Sequence, residues 1–248
     1  MNDTSKPKID ITMTAVLRPL LLSETLISIK ENICQGDDSR YRLIINIDPI
    51  GLDVDPLRIV KTAKKNFDNV VYNIPDVASF PRAVKWVWSQ TQTPYIFHIE
   101  DDWILNKKID IDSMIDILKK YDTLSSLRLS KFSIPRRNKI TLFDSSWVYN
   151  IDGFYLAKDW KKQFGLNPIL IKKQFIDQAL PKMVDHVNPE KQFRESQKYM
   201  RCVIKDWKYG MYGQPGDGAA VKDIGRRWIN NTKYHKPKTG PFLTWEKR

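Results

Sequence analysis

The first half of the chain alternates between short β-branched apolar runs and stretches with helical hydrophobic spacing. Residues 9–17 (IDITMTAVL) form one such run and predict a first strand. Arg18 and Pro19 follow, and proline is favoured at the first position of a helix. The next apolar residues fall at i, i+4, i+7 and i+11, which predicts one face of an amphipathic helix: Leu22, Leu26, Ile29 and Ile33.

This alternation continues to about residue 130. Further strands are predicted at 41–47, 69–74, 95–99 and 125–129, and helices at about 55–66 and 112–121. A turn is expected at residues 48–51 (DPIG), directly after the second strand. Ser79 is a candidate N-cap for a helix that begins at Phe80.

Strands separated by helices of 10–15 residues imply right-handed βαβ units and a parallel sheet. Ligands of such sheets bind beyond the carboxyl ends of the strands. We therefore expect Asp48 and the residues after the fourth strand to lie on the same edge of the sheet. The second half is less regular: it predicts a strand at 147–156 around a turn at Asp152-Gly153, helices near 170–180 and 189–202, and a loop at 213–218.

The most informative motif is an acidic triplet, Glu100-Asp101-Asp102, directly after the fourth apolar strand. Three adjacent carboxylates repel one another unless something neutralises them. A hard divalent cation such as Mg²⁺ or Mn²⁺ takes carboxylate oxygens and keeps positions for water and phosphate. The alternative is a solvated acidic turn, but the place of the triplet at the ligand edge of the sheet favours a site.

The ordered set of motifs over about residues 10–105 resembles the GT-A glycosyltransferases, particularly family 2. Members begin with a strand and a T-x-x-x-R-P-like turn, which Thr14, Arg18 and Pro19 match. The resemblance implies a GT-A-like α/β fold with a mostly parallel central sheet flanked by helices. It also implies a nucleotide-sugar-binding half at 1–130, and an acceptor-binding half with a basic C-terminal segment at 131–248.

The same resemblance implies the donor contacts. Asp48 would lie near the nucleotide base and Arg82 near the diphosphate. The triplet takes the place of the D-x-D motif, with Glu100 at the ribose, Asp101 in the donor site and Asp102 as the metal ligand. The expected cofactors are Mn²⁺ or Mg²⁺, with a nucleotide-diphosphate sugar, in the first place a UDP-sugar, as donor.

A later segment, residues 216–228 (GDGAAVKDIGRRW), also resembles family members, in which a late loop closes over the diphosphate. Asp223 would be a second metal ligand, although histidine often occupies that position in the family. Arg226 or Arg227 would bind phosphate, since the guanidinium fork suits a diphosphate. A basic surface loop is the alternative.

An inverting transferase needs a general base for the acceptor hydroxyl. The resemblance places a carboxylate near a helix start after the D-x-D motif, and Glu190 in residues 186–193 (HVNPEKQF) matches it. Acidic residues are also common in the first turn of any helix. Asp152 is the second candidate, and a contact to either sugar is an equal alternative. Trp103, directly after the triplet, is expected near a sugar.

Charge bears on the acceptor. The formal net charge is +12, and residues 186–248 hold 14 Lys and Arg against 6 Asp and Glu. This basic segment carries interleaved aromatic residues, namely Trp207, Tyr209, Trp228 and Tyr234. The pattern favours modified DNA, such as hydroxymethylated pyrimidines in phage DNA, because it suits a phosphate backbone and a displaced base. A surface glycan or lipid-linked sugar is the alternative acceptor, and a non-catalytic polyanion-binding α/β protein the alternative function.

Cysteine usage and hydropathy bear on location. Cys34 and Cys202 form no metal-binding pattern and are expected to be free thiols of a reducing compartment. The polar N-terminus lacks the apolar stretch of a signal peptide, and no run of about 18 apolar residues occurs. Cytoplasmic residence is therefore expected, in the host cytoplasm if the protein is viral.

Overall fold

A computed structural model describes residues 6–134, 147–159, 164–193, 198–226 and 228, with the backbone of 234–235 and 246–247. The strands are β1 (Ile9–Leu17), β2 (Tyr41–Gly51), β3 (Val70–Asn73), β4 (Tyr95–Glu100), β5 (Trp103–Leu105), β6 (Leu124–Leu129), β7 (Trp147–Asn150), β8 (Phe154–Ala157), β9 (Ile169–Lys172), β10 (Lys208–Tyr212), β11 (Val221–Asp223), β12 (Tyr234–His235) and β13 (Glu246–Lys247). The α-helices are α1 (Pro19–Ile29), α2 (Leu57–Asn66), α3 (Phe80–Ser89), α4 (Ile111–Lys120), α5 (Lys173–Ala179), α6 (Pro189–Gln192) and α7 (Arg201–Ile204).

In the described part of the chain, nine strands form one sheet in the order β3-β2-β1-β4-β9-β6-β10-β8-β7. Strands β1 to β4 pair in parallel, as do β6 and β10. The remaining pairs are antiparallel: β9 with both of its neighbours, β8 with β10, and the hairpin β7–β8. The predicted mostly parallel α/β sheet is confirmed.

Helices cover both faces of this sheet. The buried side chains of α1, α2 and α4 pack on one face in a cluster around Ile11, Ile45 and Phe97. Those of α3 and α5 pack on the other face around Trp88 and Ile171. Both faces are buried because helices cover them, and β1 is buried along its whole length, including its polar residues Asp10, Thr12 and Thr14.

Most predicted elements lie within two residues of the observed ones, but β2 is longer than expected. The predicted turn at 48–51 is wrong, because β2 continues to Gly51 through a bulge. There the register moves from Val16↔Asp48 to Leu17↔Gly51. A Cβ on Gly51 would lie 2.7 Å from the carbonyl oxygen of Leu17, and the φ angle of Gly51 is 130°, so glycine fits this close approach.

The second half shows the larger errors. Residues 169–172 were expected at the start of a helix but form β9, inserted between β4 and β6. The helix predicted for 189–202 is also wrong: α6 ends at Gln192, and a 3-10 turn at Lys198–Met200 precedes α7. The hairpin around Asp152-Gly153 is confirmed. The strands β9 and β10 of this half complete the same sheet as the first half.

The remaining expectations concern thiols and membranes. Cys34 and Cys202 are both free thiols, as predicted. Among the described residues, none of the helices has the length and apolar character required to cross a bilayer. Much of the basic segment, including Arg227 and residues 229–233, lies outside the described residues.

Candidate active site

The carboxyl ends of three neighbouring strands bring the predicted residues together. In the β1–β4 register Thr14 lies opposite Glu100, and in the β1–β2 register Val16 lies opposite Asp48. The backbone N–H of Asp101 donates to the carbonyl of Thr14 at 3.1 Å. Asp48 and the acidic triplet therefore share one edge of the sheet, as predicted.

Asp101 is the buried anchor of this edge. Its side chain is 1% exposed and accepts a bidentate pair from Arg18, at 3.0 Å from Nε and 2.5 Å from Nη2. The backbone N–H of Val16 also donates to Asp101 Oδ2, at 3.1 Å, and Thr25 Oγ1 donates to the Asp101 carbonyl. This network fixes the turn that leaves β4 against the start of α1. Asp101, which was expected to bind the donor, therefore binds groups of the protein itself.

Arg18 also neutralises the next carboxylate. Its Nη2 lies 2.8 Å from Asp102 Oδ2, and its side chain is 4% exposed. Burial opposes ionisation of Arg18, but the charges of Asp101, Asp102 and Glu100 raise its pKa well above the usual range. A guanidinium within the protein therefore partly compensates the charges of Asp101 and Asp102. The remaining nitrogen, Nη1, is buried and has no hydrogen-bond partner among the described residues.

Asp102 lies between Arg18 and a late segment of the chain. Strand β11 pairs antiparallel with β5, so that Asp223 lies opposite Trp103. Directly after β11, the backbone N–H of Ile224 donates to the Asp102 carbonyl at 2.8 Å. Ile224, 122 positions after Asp102, is thereby brought onto the triplet.

Asp48 is held in a second network. Asn46 Nδ2 donates to Asp48 Oδ1 at 2.9 Å, and the backbone N–H of Ser79 donates to Oδ2 at 3.1 Å. Asn73 extends the network by donating to Asn46 Oδ1. Burial raises the pKa of Asp48 to about 6, against the lowering effect of these hydrogen bonds. The group therefore titrates close to neutral pH.

A groove of about 700 Å³ opens beside Asp48. Its lining includes side chains from β2, β3 and α3: Asn46, Asp48, Asn73, Ser79, Arg82 and Trp86. Ser79 caps α3 as predicted, accepting from the backbone N–H of Arg82. The volume lies in the range typical of small-molecule sites.

The two outer basic residues are exposed and paired with acids. Arg226 is 77% exposed and its Nε lies 3.2 Å from Asp223 Oδ2. Arg82 lines the groove and lies 3.6 Å from Asp185. Both side chains are long and accessible, and a diphosphate could compete with the carboxylates for them.

The two candidate bases occupy separate environments. Glu190 lies in the first turn of α6, where Asn188 caps the helix, and its Oε1 accepts from the backbone N–H of Leu166 at 2.7 Å. Asp152 lies in the β7–β8 turn and pairs with Lys120 at the end of α4. That ion pair, together with the Tyr121 hydroxyl, lowers the pKa of Asp152.

The sequence matches no protein-family model and no curated protein. Its structure is similar to TarS 1-349 from S. aureus in complex with UDP-GlcNAc, with a TM-score of 0.57 and 11% identity, over 93% of this chain and 62% of that one. It is also similar to the mannosyltransferase PcManGT from Pyrobaculum calidifontis in complex with GDP-Man and Mn²⁺. There the TM-score is 0.54 and the identity 10%, over 86% of this chain and 56% of that one. The fold is GT-A-like. The chain spans less than two thirds of either neighbour.

In this GT-A-like fold, a metal would have to share the site with substrate. Among the described residues, no group of three or more His, Cys, Asp or Glu side chains is placed to hold an ion. Mg²⁺ is commonly bound by one or two carboxylates together with substrate phosphates. Asp102 and Asp223, which lies opposite the next residue Trp103, fit that pattern. The two carboxylates would hold the ion only together with the substrate phosphates.

Three residues of this site were missed or misplaced by sequence reasoning. Trp103 was expected near a sugar, but it is a core residue and only 6% exposed. An aromatic residue that contacts this network is Trp228, whose ring centroid lies 5.2 Å from Arg18 Cζ. Thr25 was not singled out because a threonine in a helix carries no sequence signal for a contact to residue 101.

Proposed function

We propose that the protein is a glycosyltransferase that moves a sugar from a nucleotide-diphosphate sugar to an acceptor hydroxyl with the help of a divalent cation. The convergence of Asp48, Arg18 and the acidic triplet at one edge of a GT-A-like sheet carries this proposal. Two proteins of similar fold bind UDP-GlcNAc and GDP-Man. A UDP-sugar is the proposed donor.

The groove beside Asp48 would receive the nucleoside. The Asp48 carboxylate accepts hydrogen bonds and can do the same for a base N–H or a ribose hydroxyl. The groove leads past Arg82, which would meet the diphosphate. The buried Nη1 of Arg18 is a further donor that a phosphate oxygen could satisfy.

A cation held by Asp102 and Asp223 would neutralise the charge that develops on the leaving diphosphate. Asp101 keeps Arg18 in place, and Arg18 in turn orients Asp102. Glu100, at the end of β4 opposite Thr14, would meet the ribose side of the donor. Arg226, exposed after β11, would reach the diphosphate.

We assign the general base to Glu190 in an inverting reaction. Its Oε1 is oriented by the Leu166 N–H, so Glu190→Gln can keep that hydrogen bond while losing basicity. We expect kcat to fall about 10²- to 10⁴-fold with nucleotide affinity unchanged. Asp152→Asn, measured alongside, should leave kcat near the wild-type value. The reverse ranking of the two variants would move the assignment to Asp152.

The raised pKa of Asp48 gives a pH dependence. With a pKa of about 6, Asp48 is about 90% ionised at pH 7 and about 10% at pH 5. The ionised carboxylate would accept hydrogen bonds from the nucleoside, so affinity for UDP-GlcNAc, whose diphosphate has no ionisation near pH 6, should fall as the pH drops through 6. The Asp48→Asn variant should bind UDP-GlcNAc more weakly at pH 7 and show a flat profile from pH 5 to 7. Calorimetric titration at each pH tests this, and an unchanged slope in the variant would exclude Asp48 from the nucleoside site.

The acceptor is proposed to be a glycan or lipid-linked hydroxyl. The DNA hypothesis relied on four aromatic residues in the basic segment, but Trp207 and Tyr209 are buried in the core and cannot stack on a base. The net charge of +12 suits an anionic surface equally well. Modified DNA is retained as a test substrate.

A donor screen tests the whole proposal. The purified protein is incubated with UDP- and GDP-sugars and Mn²⁺, with oligosaccharide, lipid-linked sugar or hydroxymethylated duplex DNA as acceptor, and nucleoside diphosphate release is measured. Release with a glycan acceptor supports the proposal, whereas release only with modified DNA overturns the acceptor assignment. No release, together with no binding of any nucleotide, would favour a non-catalytic polyanion-binding protein.

A further inference from the structure

Gly225 leaves the space that the Asp102 carboxylate fills. A Cβ placed on Gly225 would lie 2.0 Å from Asp102 Oδ2, 2.7 Å from Cγ and 2.9 Å from Cβ. Separations below 3.0 Å do not occur between real atoms of this kind, so one of the two residues would have to move. Gly225 shows no positive φ angle, so steric exclusion by the carboxylate, and not backbone conformation, accounts for glycine at this position.

The Asp102 carboxylate is confined from two sides in this arrangement. Arg18 Nη2 lies 2.8 Å from Oδ2, the same oxygen that occupies the space at Gly225. The neighbouring Ile224 N–H is bound to the Asp102 carbonyl, so backbone and side chain of Asp102 both meet residues 224–225. The Gly225 N–H donates to Asp223 Oδ1 at 3.0 Å, which keeps the turn after β11 tight.

We infer that Gly225 is a positioning residue, which sets the direction of the Asp102 carboxylate and thereby the affinity of the site for a divalent cation. This inference rests on the proposed function. A cation needs its carboxylate oxygen within a few tenths of an ångström of an ideal distance. A methyl group at position 225 would overlap Oδ2, so the carboxylate would have to leave the position that it holds beside Arg18.

The chain offers a matched control. Gly218 lies seven residues earlier, and a Cβ there would meet nothing within 4 Å. Gly225→Ala and Gly218→Ala therefore make the same chemical change in the same part of the chain, with and without a clash. Any effect specific to Gly225→Ala reports the contact with Asp102.

The experiment titrates Mn²⁺ into protein saturated with UDP and follows free Mn²⁺ by electron paramagnetic resonance. Gly225→Ala should weaken Mn²⁺ binding about tenfold or more, while Gly218→Ala binds as the wild type does. Equal Mn²⁺ affinity in the two variants would overturn the inference. Failure of the wild-type protein to bind Mn²⁺ and UDP would instead refute the proposed function.

A second measurement needs no ligand and tests the inference even if Gly225→Ala is less stable than the wild type. In urea denaturation, Gly225→Ala should lower the midpoint in the wild-type background, and the loss should shrink markedly in an Asp102→Ala background, where the clashing carboxylate is gone. An equal loss in both backgrounds would show that the methyl group clashes elsewhere, and the inference would fail.

Discussion

Replacing Asp102 with alanine is expected to remove the Mn²⁺-dependent part of nucleotide affinity and to lower turnover about 10²- to 10³-fold. The proposed cation would bind both this carboxylate and the donor diphosphate. A Lewis acid of this kind lowers the activation free energy by several kcal/mol, and each 1.4 kcal/mol changes the rate about tenfold. Asp102 is the member of the triplet whose carboxylate lies between Arg18 and the late segment at Gly225.

The measurement is a calorimetric titration of UDP in Mn²⁺ and in EDTA, followed by turnover with the donor found in the screen. Asp116→Ala is the matched control, because Asp116 is 74% exposed on α4 and pairs only with a surface lysine among the described contacts. The control should behave as wild type. Metal-dependent affinity that survives in Asp102→Ala would mean that the cation binds elsewhere. The Asp102→Ala variant should keep the fold, since Arg18 keeps both hydrogen bonds to Asp101.

Replacing Arg18 with methionine is expected to lower the free energy of unfolding by about 3–5 kcal/mol. The substitution leaves the carboxylate of Asp101, which is 1% exposed, without its guanidinium partner, and removing one partner of a buried ion pair carries a cost of that size. The total stability of a domain is about 5–15 kcal/mol, so this is a large part of it. Urea denaturation gives the value, provided that the m-value stays constant.

Two further variants separate the buried charge from a general packing effect. Lys119→Ala breaks an exposed pair with Asp116 and should change stability by less than about 1 kcal/mol. Adding Asp101→Asn to Arg18→Met removes the unpaired charge and should restore part of the loss. A double variant as unstable as the sum of the single ones would show that the ion pair is not the source of the effect.

Part of the site was predictable because it follows from strand order. Apolar runs at 9–17, 41–47 and 95–99 indicated parallel strands, and parallel strands end on one edge of a sheet. Asp48 and the triplet come directly after such runs, so their proximity was predicted before any contact was known. Arg18 was singled out only by the resemblance to the T-x-x-x-R-P-like turn of the GT-A glycosyltransferases.

Other features had no sequence signal of their own. Residues 169–171 are apolar and lie against a predicted helix, and periodicity cannot separate a fully buried strand from a helix in so short a run. In the sequence, nothing distinguishes Asp101 from Glu100 and Asp102. In the structure its carboxylate is buried and pairs with Arg18, whereas that of Asp102 stays accessible to a ligand. The burial of Trp103 depends on its pairing with Asp223, 120 residues later.

The sequence by itself determined the α/β architecture and the edge of the sheet at which the candidate site lies. Strand and helix periodicities and the order of elements are local properties of the chain. Only the tertiary structure decided which carboxylate is buried, which guanidinium neutralises it and which glycine makes room for Asp102. Those outcomes depend on contacts between residues about 80 to 120 positions apart. Charge pairing and steric exclusion act through space, and no local pattern of residues encodes them.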